Sequence, residues 1–399
     1  RLFDLQTQGS VPLLLSIGKA YRFLDGIAVY IAASAAAVGV HHIEHTDQFA
    51  ALRDADGTVY PVQQTADGAV AYIKGIPSKG YKALTTVEAQ AASPFTRSDE
   101  YHLETPFYSI ALDATGAFTS IFDKENDREV LKPGQVARIR CYEDKPIYYD
   151  NWDIDMYYTE KSWAVDELKS LRWIADGAVE TVLELVFDCC GSEIVQKIHF
   201  YADTRRIDFE TKIDWKLHQH LLKAEFPVDI HADEATFEVQ FGNVKRKTHT
   251  NTSWDKARFE SCAQKWMDFS EGHYGVSLLN DCKYGHSVND GVIGLTLLKS
   301  GVQPHPKESF VLQACPHFGM SSSLQAQVMG IVFKRAVRTH FGSPHHLPSA
   351  QGVRSIFKRT VLQHFCIHAP VCGKVYILIK KAIHRGRDGC ALLRCMDGD

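Results

Sequence analysis

Between residues 103 and 300, short apolar or alternating segments recur at close intervals, and this pattern limits the possible folds more than any other feature of the sequence. Each segment has the length of a β-strand, and Asp, Gly or Asn separates several of them, as is usual at turns. No long amphipathic helix intervenes, which argues against an alternating α/β fold. We therefore predict an all-β sandwich whose strands include residues 107–112, 118–122, 179–187, 194–201, 206–215, 224–230 and 235–241.

The length of 399 residues is too great for one ordinary hydrophobic core, so two or three domains are expected. Changes in composition divide the chain into four regions. Residues 1–48 form a leader that matches no clear pattern, and residues 49–95 form a small β-unit with an Asp-Gly turn between two strands. Residues 100–310 form the large β-domain, and residues 311–399 form a separate C-terminal region.

The C-terminal region differs in charge from the rest of the chain. Residues 301–399 contain thirteen Lys or Arg and four Asp or Glu, a net charge of +9, and five of the ten cysteines. A basic, Cys- and His-rich segment can bind nucleic acid, but zinc-finger spacing and interleaved aromatic residues are missing here. We therefore predict no nucleic-acid partner and interpret this region as the product of a truncated or frame-disrupted gene.

Composition also excludes several classes of protein. A hydrophobic content of 45% and a charged content of 23% are typical of soluble globular proteins, and no apolar run is long enough to span a bilayer. No secretory leader is recognisable, and the cysteines show no disulfide framework, since Cys189 and Cys190 are adjacent and C-x-x-C is absent. These features predict free thiols, no membrane partner and a cytoplasmic location. His41, His42 and His45 lack a fourth ligand nearby, so no metal is expected there.

Residues 243–285 read as a strand, a polar turn, an aromatic-bearing segment and a second buried strand that begins at Tyr274. Trp254, Phe259 and Trp266 are large apolar groups between polar ones, as where a loop folds back onto a sheet. We therefore expect Trp254 and Trp266 to be buried near a corner of the sandwich.

A second notable stretch, residues 143–158, concentrates carboxylates and aromatic rings, among them Tyr148, Asp150, Trp152, Asp153 and Asp155. Aromatic faces stack on the C–H surfaces of sugars, and carboxylates accept hydrogen bonds from sugar hydroxyls. If the stretch is a strand, Asp153 and Asp155 share one face and Trp152 opposes them. These five residues are candidate carbohydrate contacts. The alternative is a polar loop whose aspartates cap backbone N–H groups.

Several long blocks, in matching order from about Ala51 to Pro306, resemble glycoside hydrolase family 38 α-mannosidases of the bacterial cytoplasmic type. The blocks that carry the resemblance are residues 123–124, 128–129, 149–155, 216–230, 251–260 and 274–285. Members of that family are retaining enzymes that use a divalent metal, usually zinc. Their metal ligands and catalytic carboxylates lie mainly in N-terminal domains, and the motif His-x-Asp-x-Ala-Trp is absent here.

The resemblance implies a C-terminal part of such an enzyme: a small β-unit followed by a large antiparallel β-supersandwich of the galactose mutarotase-like kind. It would support the missing N-terminal catalytic domain, contact mannose-containing oligosaccharides, and hold no catalytic residue, metal or cofactor of its own. The isolated chain is then expected to be inactive. The alternative is a stand-alone carbohydrate-binding or structural β-module without catalysis.

Overall fold

A computed structural model describes residues 50–66, 68–77, 81–151 and 153–302, together with the backbone of five further strands. Strands are the dominant secondary structure of the described residues, and their pairings are antiparallel. The predicted mainly β, antiparallel architecture is confirmed. Neither helix in the described part of the chain has the length and apolar character that crossing a membrane requires.

The first twelve strands form two sheets. The first sheet has the order β1-β2-β7-β4-β5-β6-β3, and the second sheet has the order β12-β11-β10-β9-β8. The strands are β1 (Lys19–Phe23), β2 (Gly26–Tyr30), β3 (Ala37–Ile43), β4 (Ala51–Arg53), β5 (Val59–Thr65), β6 (Gly68–Ile76), β7 (Tyr81–Val87), β8 (Thr96–Arg97), β9 (His102–Glu104), β10 (Tyr108–Leu112), β11 (Phe118–Asp123) and β12 (Arg128–Glu129).

The remaining strands form two further sheets. The third sheet has the order β14-β13-β19-β26-β25-β22 with β27 beside β26, and the fourth sheet has the order β15-β16-β17-β18-β28-β24-β23-β20-β21. The strands are β13 (Arg138–Glu143), β14 (Ser162–Ala164), β15 (Glu167–Asp176), β16 (Glu180–Cys189), β17 (Ser192–Tyr201), β18 (Arg206–Asp214), β19 (His220–Pro227), β20 (Glu234–Val239), β21 (Gly242–Lys247), β22 (Ser261–Cys262), β23 (Trp266–Ser270), β24 (Tyr274–Asn280), β25 (Gly285–Asn289), β26 (Val292–Gly301), β27 (Phe310–Leu312) and β28 (Ser323–Arg335).

The third and fourth sheets pack face to face on one continuous core, which also takes in the second sheet. Phe209 of the fourth sheet marks the contact, because its ring lies 5.6 Å from that of Phe226 in the third sheet and 5.9 Å from that of Phe118 in the second. Along β17 the buried and less buried positions alternate, which is the pattern of a strand with one face on a core. The predicted two-layered sandwich is thus present.

Tight turns fix the register of two hairpins in the sandwich. Cys190 and Gly191 join β16 to β17, and Asp290 and Gly291 join β25 to β26. The backbone φ angle is positive at both residues of each turn. Two consecutive positive φ angles match the right-handed twist of the flanking strands, and glycine adopts them without strain. The adjacent cysteines therefore mark a turn, and the five described cysteines, Cys141, Cys189, Cys190, Cys262 and Cys282, are free thiols.

The seven predicted strands are confirmed within a few residues, but the prediction of two buried tryptophans is half wrong. Trp266 is buried at the start of β23, whereas Trp254 is 78% exposed on the short helix α1 (Ser253–Lys256). The apolar group that anchors this segment is Phe259, which packs on Tyr158. A polar segment with two large rings needs to bury only one of them to be held in place.

The predicted regional boundaries are not decided by the fold and stay a prediction. Strands β1, β2 and β3, which precede residue 48, complete the first sheet around β4–β7. Strand β28 lies within the C-terminal region 311–399 and occupies the middle of the fourth sheet, between β18 and β24. The side chains of His41 and His42, and all of His45 and Trp152, lie outside the described residues.

Two hydrogen bonds and a small apolar cluster attach the first sheet to the fourth sheet. The side-chain carbonyl of Gln63 accepts hydrogen bonds from the backbone N–H groups of Val179 and Glu180, at 3.1 and 2.9 Å. Beside it, Val70 packs with Val179 and Tyr201. The small β-unit and the sandwich therefore meet at the start of β16.

A charged histidine lies close to this junction. Burial by itself would lower the pKa of His199, but hydrogen bonds to Glu180 and Glu210 and the charge of Asp208 raise it to about 9. The ring of His199 also stacks on that of Tyr201. His199 is therefore protonated at neutral pH.

This protonation predicts a pH-dependent contribution to stability. The contribution of His199 should be complete below a pH of about 6.5, its unfolded pKa, and should be lost as the pH rises through about 9. We expect His199→Gln to lower the free energy of unfolding by about 2 kcal/mol at pH 6 and by much less at pH 9.5. Urea midpoints measured from pH 6 to 9.5 test this, and a difference that stays constant with pH would contradict it.

Candidate functional site

The loop between β13 and β14 crosses the outer face of the third sheet and is anchored by two buried carboxylates. Asp144 forms an ion pair with Lys299, and its backbone N–H donates to the Gln219 carbonyl at 2.8 Å. Asp150 accepts hydrogen bonds from the Val302 N–H at 2.9 Å and from the Gln219 side chain at 3.2 Å. Burial raises the pKa of Asp144, although Lys299 opposes this shift. These contacts hold the loop in one position.

A third carboxylate links the beginning of the loop to its end. Asp155 accepts a hydrogen bond from the Ile147 N–H at 2.9 Å and precedes the 3-10 helix Met156–Glu160. The stretch is not a strand, so Asp153 and Asp155 do not share a strand face. The hydrogen bonds of Asp150 and Asp155 fix the conformation of the loop. This matches the alternative of a polar loop with hydrogen-bonded aspartates.

The other described candidates point away from the protein. Tyr148 is 72% exposed, and the side chain of the exposed residue Asp153 accepts a hydrogen bond from the adjacent Ile154 N–H at 3.0 Å. Tyr149, next to Tyr148, has a φ of +52°, an uncommon backbone conformation for a bulky residue. Tyr148 and Asp153 are therefore the predicted contacts that a ligand in solution could reach.

A buried lysine lies beneath the loop. Lys223, on β19, forms an ion pair with Glu260 and donates hydrogen bonds to the Ser287 Oγ at 2.8 Å and the Tyr158 hydroxyl at 3.2 Å. The Tyr158 hydroxyl donates in turn to Glu260 at 2.7 Å. Burial and the Glu260 carboxylate raise the pKa of Tyr158 far above its ordinary value, so the hydroxyl keeps its proton. The buried Lys223 is thus paired with the partly buried Glu260 carboxylate and with two hydroxyl groups.

This cluster joins two segments that are far apart in the sequence. Tyr158 belongs to the loop, whereas Glu260 and Phe259 belong to the segment 249–262, which connects the fourth sheet to the third. The rings of Tyr158 and Phe259 lie 6.1 Å apart, and that of Tyr142 packs edge-on against Tyr158 at 5.2 Å. The two most distinctive stretches of the sequence therefore meet on the outer face of the third sheet.

Sequence reasoning missed Lys223, Tyr158 and Glu260. The available signal was a lysine inside the run Leu221–Phe226, where the neighbouring positions are typical of a buried strand. A charged residue at such a position needs a partner, but its partner lies 37 residues later in the chain. The pattern could suggest the burial of Lys223 and could not identify Glu260.

Exposed apolar side chains recur in the two segments that this cluster joins. We define the aromatic face as Ile147, Tyr148, Tyr149 and Tyr157 from the loop and Trp254 from α1. These five residues are half of the ten large hydrophobic side chains that are exposed in the described part of the chain. Exposed apolar residues that recur in one pair of segments are candidates for an interaction site, whereas single exposed groups are not.

A second buried network lies at the junction of the second and fourth sheets. The Asp123 carboxylate is inaccessible to solvent and pairs with Arg205, while Tyr274 donates to it at 3.2 Å. The guanidinium of Arg128 lies 4.5 Å from the centre of the Tyr274 ring and forms an ion pair with Glu271 at 2.6 Å. Three of the blocks that resemble α-mannosidases, containing Asp123, Arg128 and Tyr274, therefore come together here.

Residues 103–307 match the family described as the glycosyl hydrolases family 38 C-terminal domain, and this match covers 205 of the 399 residues. The chain belongs to glycosyl hydrolase family 38. Its C-terminal domain in this chain includes the loop, the segment 249–262 and both buried networks.

The chain is also similar to proteins that are named α-mannosidases. The chain is 32% identical over 288 residues to α-mannosidase G of Dictyostelium discoideum, covering 66% of this chain and 26% of the relative. It is 36% identical over 207 residues to the α-mannosidase of Saccharomyces cerevisiae, covering 48% of this chain and 19% of the relative. The chain therefore spans about a quarter or less of the length of these relatives.

Solved structures show the same fold. A family 38 glycosyl hydrolase from Enterococcus faecalis matches with a TM-score of 0.54 and 11% identity, covering 88% of this chain and 45% of that structure. An α-mannosidase from the same organism matches with a TM-score of 0.52 and 11% identity, covering 76% of this chain and 42% of that structure. At this level of identity the similarity concerns the fold alone.

Proposed function

We propose that this chain is the C-terminal portion of an α-mannosidase that hydrolyses terminal α-mannosidic bonds. The observation that carries the proposal is the family 38 match over residues 103–307, together with relatives named α-mannosidase. In the complete enzyme the reaction would be retaining and metal-dependent. The five free thiols among the described residues support a reducing, cytoplasmic location.

The metal would be held elsewhere in the polypeptide. Among the described residues, no group of three or more His, Cys, Asp or Glu could hold a metal ion. The donor set of this part of the chain therefore does not fit zinc, and we assign none of its residues to a metal site. The role proposed for this chain is to support the catalytic domain and to bind sugar.

We place the sugar contact at the loop over the third sheet, on the edge that faces the catalytic domain. Tyr148 offers a ring face for stacking on a mannose residue, and the Asp153 carboxylate can accept hydrogen bonds from its hydroxyls. Asp150 and Asp155 keep the loop in shape for this contact. Trp152 is assigned to the same contact from the sequence.

The second candidate function is a stand-alone carbohydrate-binding module. The observation that favours it is the aromatic face, which is exposed in the chain as it stands. Such a module would bind mannosides without contributing to hydrolysis. The two candidates differ in whether this sequence can complete an active enzyme.

A hybrid enzyme tests this difference. The 207 matched residues of the Saccharomyces α-mannosidase would be replaced by the residues of this chain that align with them. We expect the hybrid to hydrolyse an aryl α-mannoside with added zinc, and we expect no turnover from the 399-residue chain alone, because both catalytic carboxyls must flank the scissile bond. A hybrid that folds like the parent enzyme and has no turnover would contradict the proposal.

Within the active hybrid, Asp153→Asn should lower kcat/KM about tenfold to a hundredfold, as expected for lost positioning of the substrate. Glu160→Gln removes a charge from the exposed end of the same loop and is the matched control, with no expected change. Unchanged kinetics for Asp153→Asn would make the loop a structural turn. Complete inactivity of a folded variant would place a catalytic carboxylate in this chain.

A further inference from the structure

Three cysteine side chains meet where β16 ends, at the border of the sandwich core. Cys141 lies on β13 of the third sheet, Cys189 is the last residue of β16 in the fourth sheet, and Cys190 follows it in the turn. Cys141 and Cys189 are buried in the core that the two sheets share, whereas Cys190 is exposed. The Cys141 thiol and the Cys190 thiol both hydrogen-bond to the Cys189 sulfur. Thiols from the two layers are therefore in contact.

A third donor also reaches the Cys189 sulfur. Trp163, on β14, is paired in register with Cys141, and its indole N–H donates to Cys189. The hydrogen bond from Cys141, supported by that from Trp163, lowers the pKa of the Cys189 thiol although burial opposes this shift. The same hydrogen bond and burial raise the pKa of Cys141, which keeps its proton. Cys189 is thus the sulfur of the pair that ionises first, and the thiolate is the nucleophilic form.

We propose that Cys141 and Cys189 form a modification site, at which hydrogen peroxide generates a reversible disulfide bond between the third and fourth sheets. The S–S distance in a disulfide is about 2 Å, which thiols already in contact reach through rotation of their side chains. The two residues are free thiols in the absence of an oxidant. This inference does not depend on the proposed function.

The reaction takes place in two steps and consumes one peroxide. The Cys189 thiolate attacks one peroxide oxygen, so that an S–O bond forms, the O–O bond breaks and the leaving hydroxide takes a proton to become water. The sulfur of Cys141 then attacks the resulting sulfenic acid. An S–S bond forms, the S–O bond breaks, and the departing hydroxide takes the Cys141 proton to give a second water. Two thiols are oxidised, and one peroxide is reduced to two waters.

The geometry favours Cys141 over Cys190 as the partner of Cys189. The Cα atoms of adjacent residues are about 3.8 Å apart, which is shorter than the range of about 4.4 to 6.8 Å usual in disulfides. The pairing of Cys189 with Ser192 and the φ of +51° at Cys190 also fix the turn in a conformation that such a bond would distort. The exposed Cys190 instead places the buried pair next to solvent, from which peroxide enters.

Peroxide treatment of the folded 399-residue chain tests the proposal. After exposure to millimolar hydrogen peroxide, the remaining thiols would be alkylated and the unreduced digest mapped by mass spectrometry. We expect a crosslinked peptide that joins Cys141 to Cys189. Because these residues lie 48 positions apart, the bond closes a long loop, and the melting temperature should rise by about 5 °C or more. Dithiothreitol should reverse both changes.

Two variants serve as controls and a third tests the mechanism. Cys190→Ala and Cys262→Ala each remove an exposed thiol and should leave the crosslink and the rise in melting temperature unchanged. Cys141→Ala should abolish the crosslink and leave a sulfenic acid at Cys189 that dimedone captures.

The wild-type peptide map decides the proposal even if Cys141→Ala folds poorly. A disulfide between Cys189 and Cys190 would overturn it. Recovery of Cys141 and Cys189 as unmodified thiols, under conditions that oxidise the exposed Cys190 and Cys262, would overturn it as well.

Discussion

Lys223→Met should lower the free energy of unfolding by about 3 kcal/mol or more, because it leaves the Glu260 carboxylate without its buried partner. The substitution also removes donors to Ser287 and Tyr158. Methionine has a similar shape, so little of the loss should come from a cavity. Urea unfolding followed by tryptophan fluorescence and circular dichroism measures the change.

Two controls separate the ion pair from the loss of a lysine as such. Lys161→Met removes an exposed lysine that pairs with Glu143, and we expect a change below about 1 kcal/mol. In the double variant Lys223→Met, Glu260→Gln, removal of the carboxylate charge should recover part of the lost stability. A single variant as stable as wild type, with the loop and segment 249–262 equally protected from hydrogen exchange, would show that the cluster does not hold them.

Asp123→Ala should lower the free energy of unfolding by about 3 to 5 kcal/mol. The carboxylate is inaccessible to solvent and accepts hydrogen bonds from the Glu125 N–H at 3.1 Å, from the Asn126 N–H at 3.3 Å and from the Asn126 side chain at 2.9 Å. It also forms an ion pair with Arg205 and accepts a hydrogen bond from the Tyr274 hydroxyl. Alanine would leave all of these donors without their acceptor.

Thermal and urea unfolding of Asp123→Ala would measure this loss. Asp166→Ala is the matched control, because Asp166 is exposed and should contribute less than about 0.5 kcal/mol. An Asp123→Ala protein that unfolds at the wild-type midpoint would mean that water replaces the carboxylate at no cost. That outcome would contradict the role of Asp123 in joining the second sheet to the fourth.

The strands of the sandwich could be predicted because each carries its signal locally. In β17, Ile198 and Phe200 alternate with Lys197 and His199, and the two-residue turn before the strand contains Gly191. Such patterns depend only on neighbours in the sequence. The regular β-architecture was therefore accessible from the sequence, whereas the attachment of the small β-unit through Gln63 was not, because its partners lie more than a hundred residues away.

The sequence showed which residue types the candidate site contains, but it did not show how their side chains are arranged. Residues 143–158 were recognised from their carboxylates and rings, but the sequence could not show that Asp150 and Asp155 hold the loop while Tyr148 and Asp153 face solvent. The expected burial of Trp254 was wrong for a related reason. Apolar character alone does not determine which of two nearby rings packs on the protein, and Tyr158 is the contact that selects Phe259.

The place of β28 in the middle of the fourth sheet has a consequence for the order of events during synthesis. Strands β15–β18 form one half of that sheet and β24, β23, β20 and β21 form the other, and β28 supplies the hydrogen bonds between the halves. Until Ser323–Arg335 has left the ribosome, β18 and β24 each present an unpaired inner edge. The nascent chain is therefore most exposed to wrong strand pairing and aggregation at these two edges just before β28 emerges.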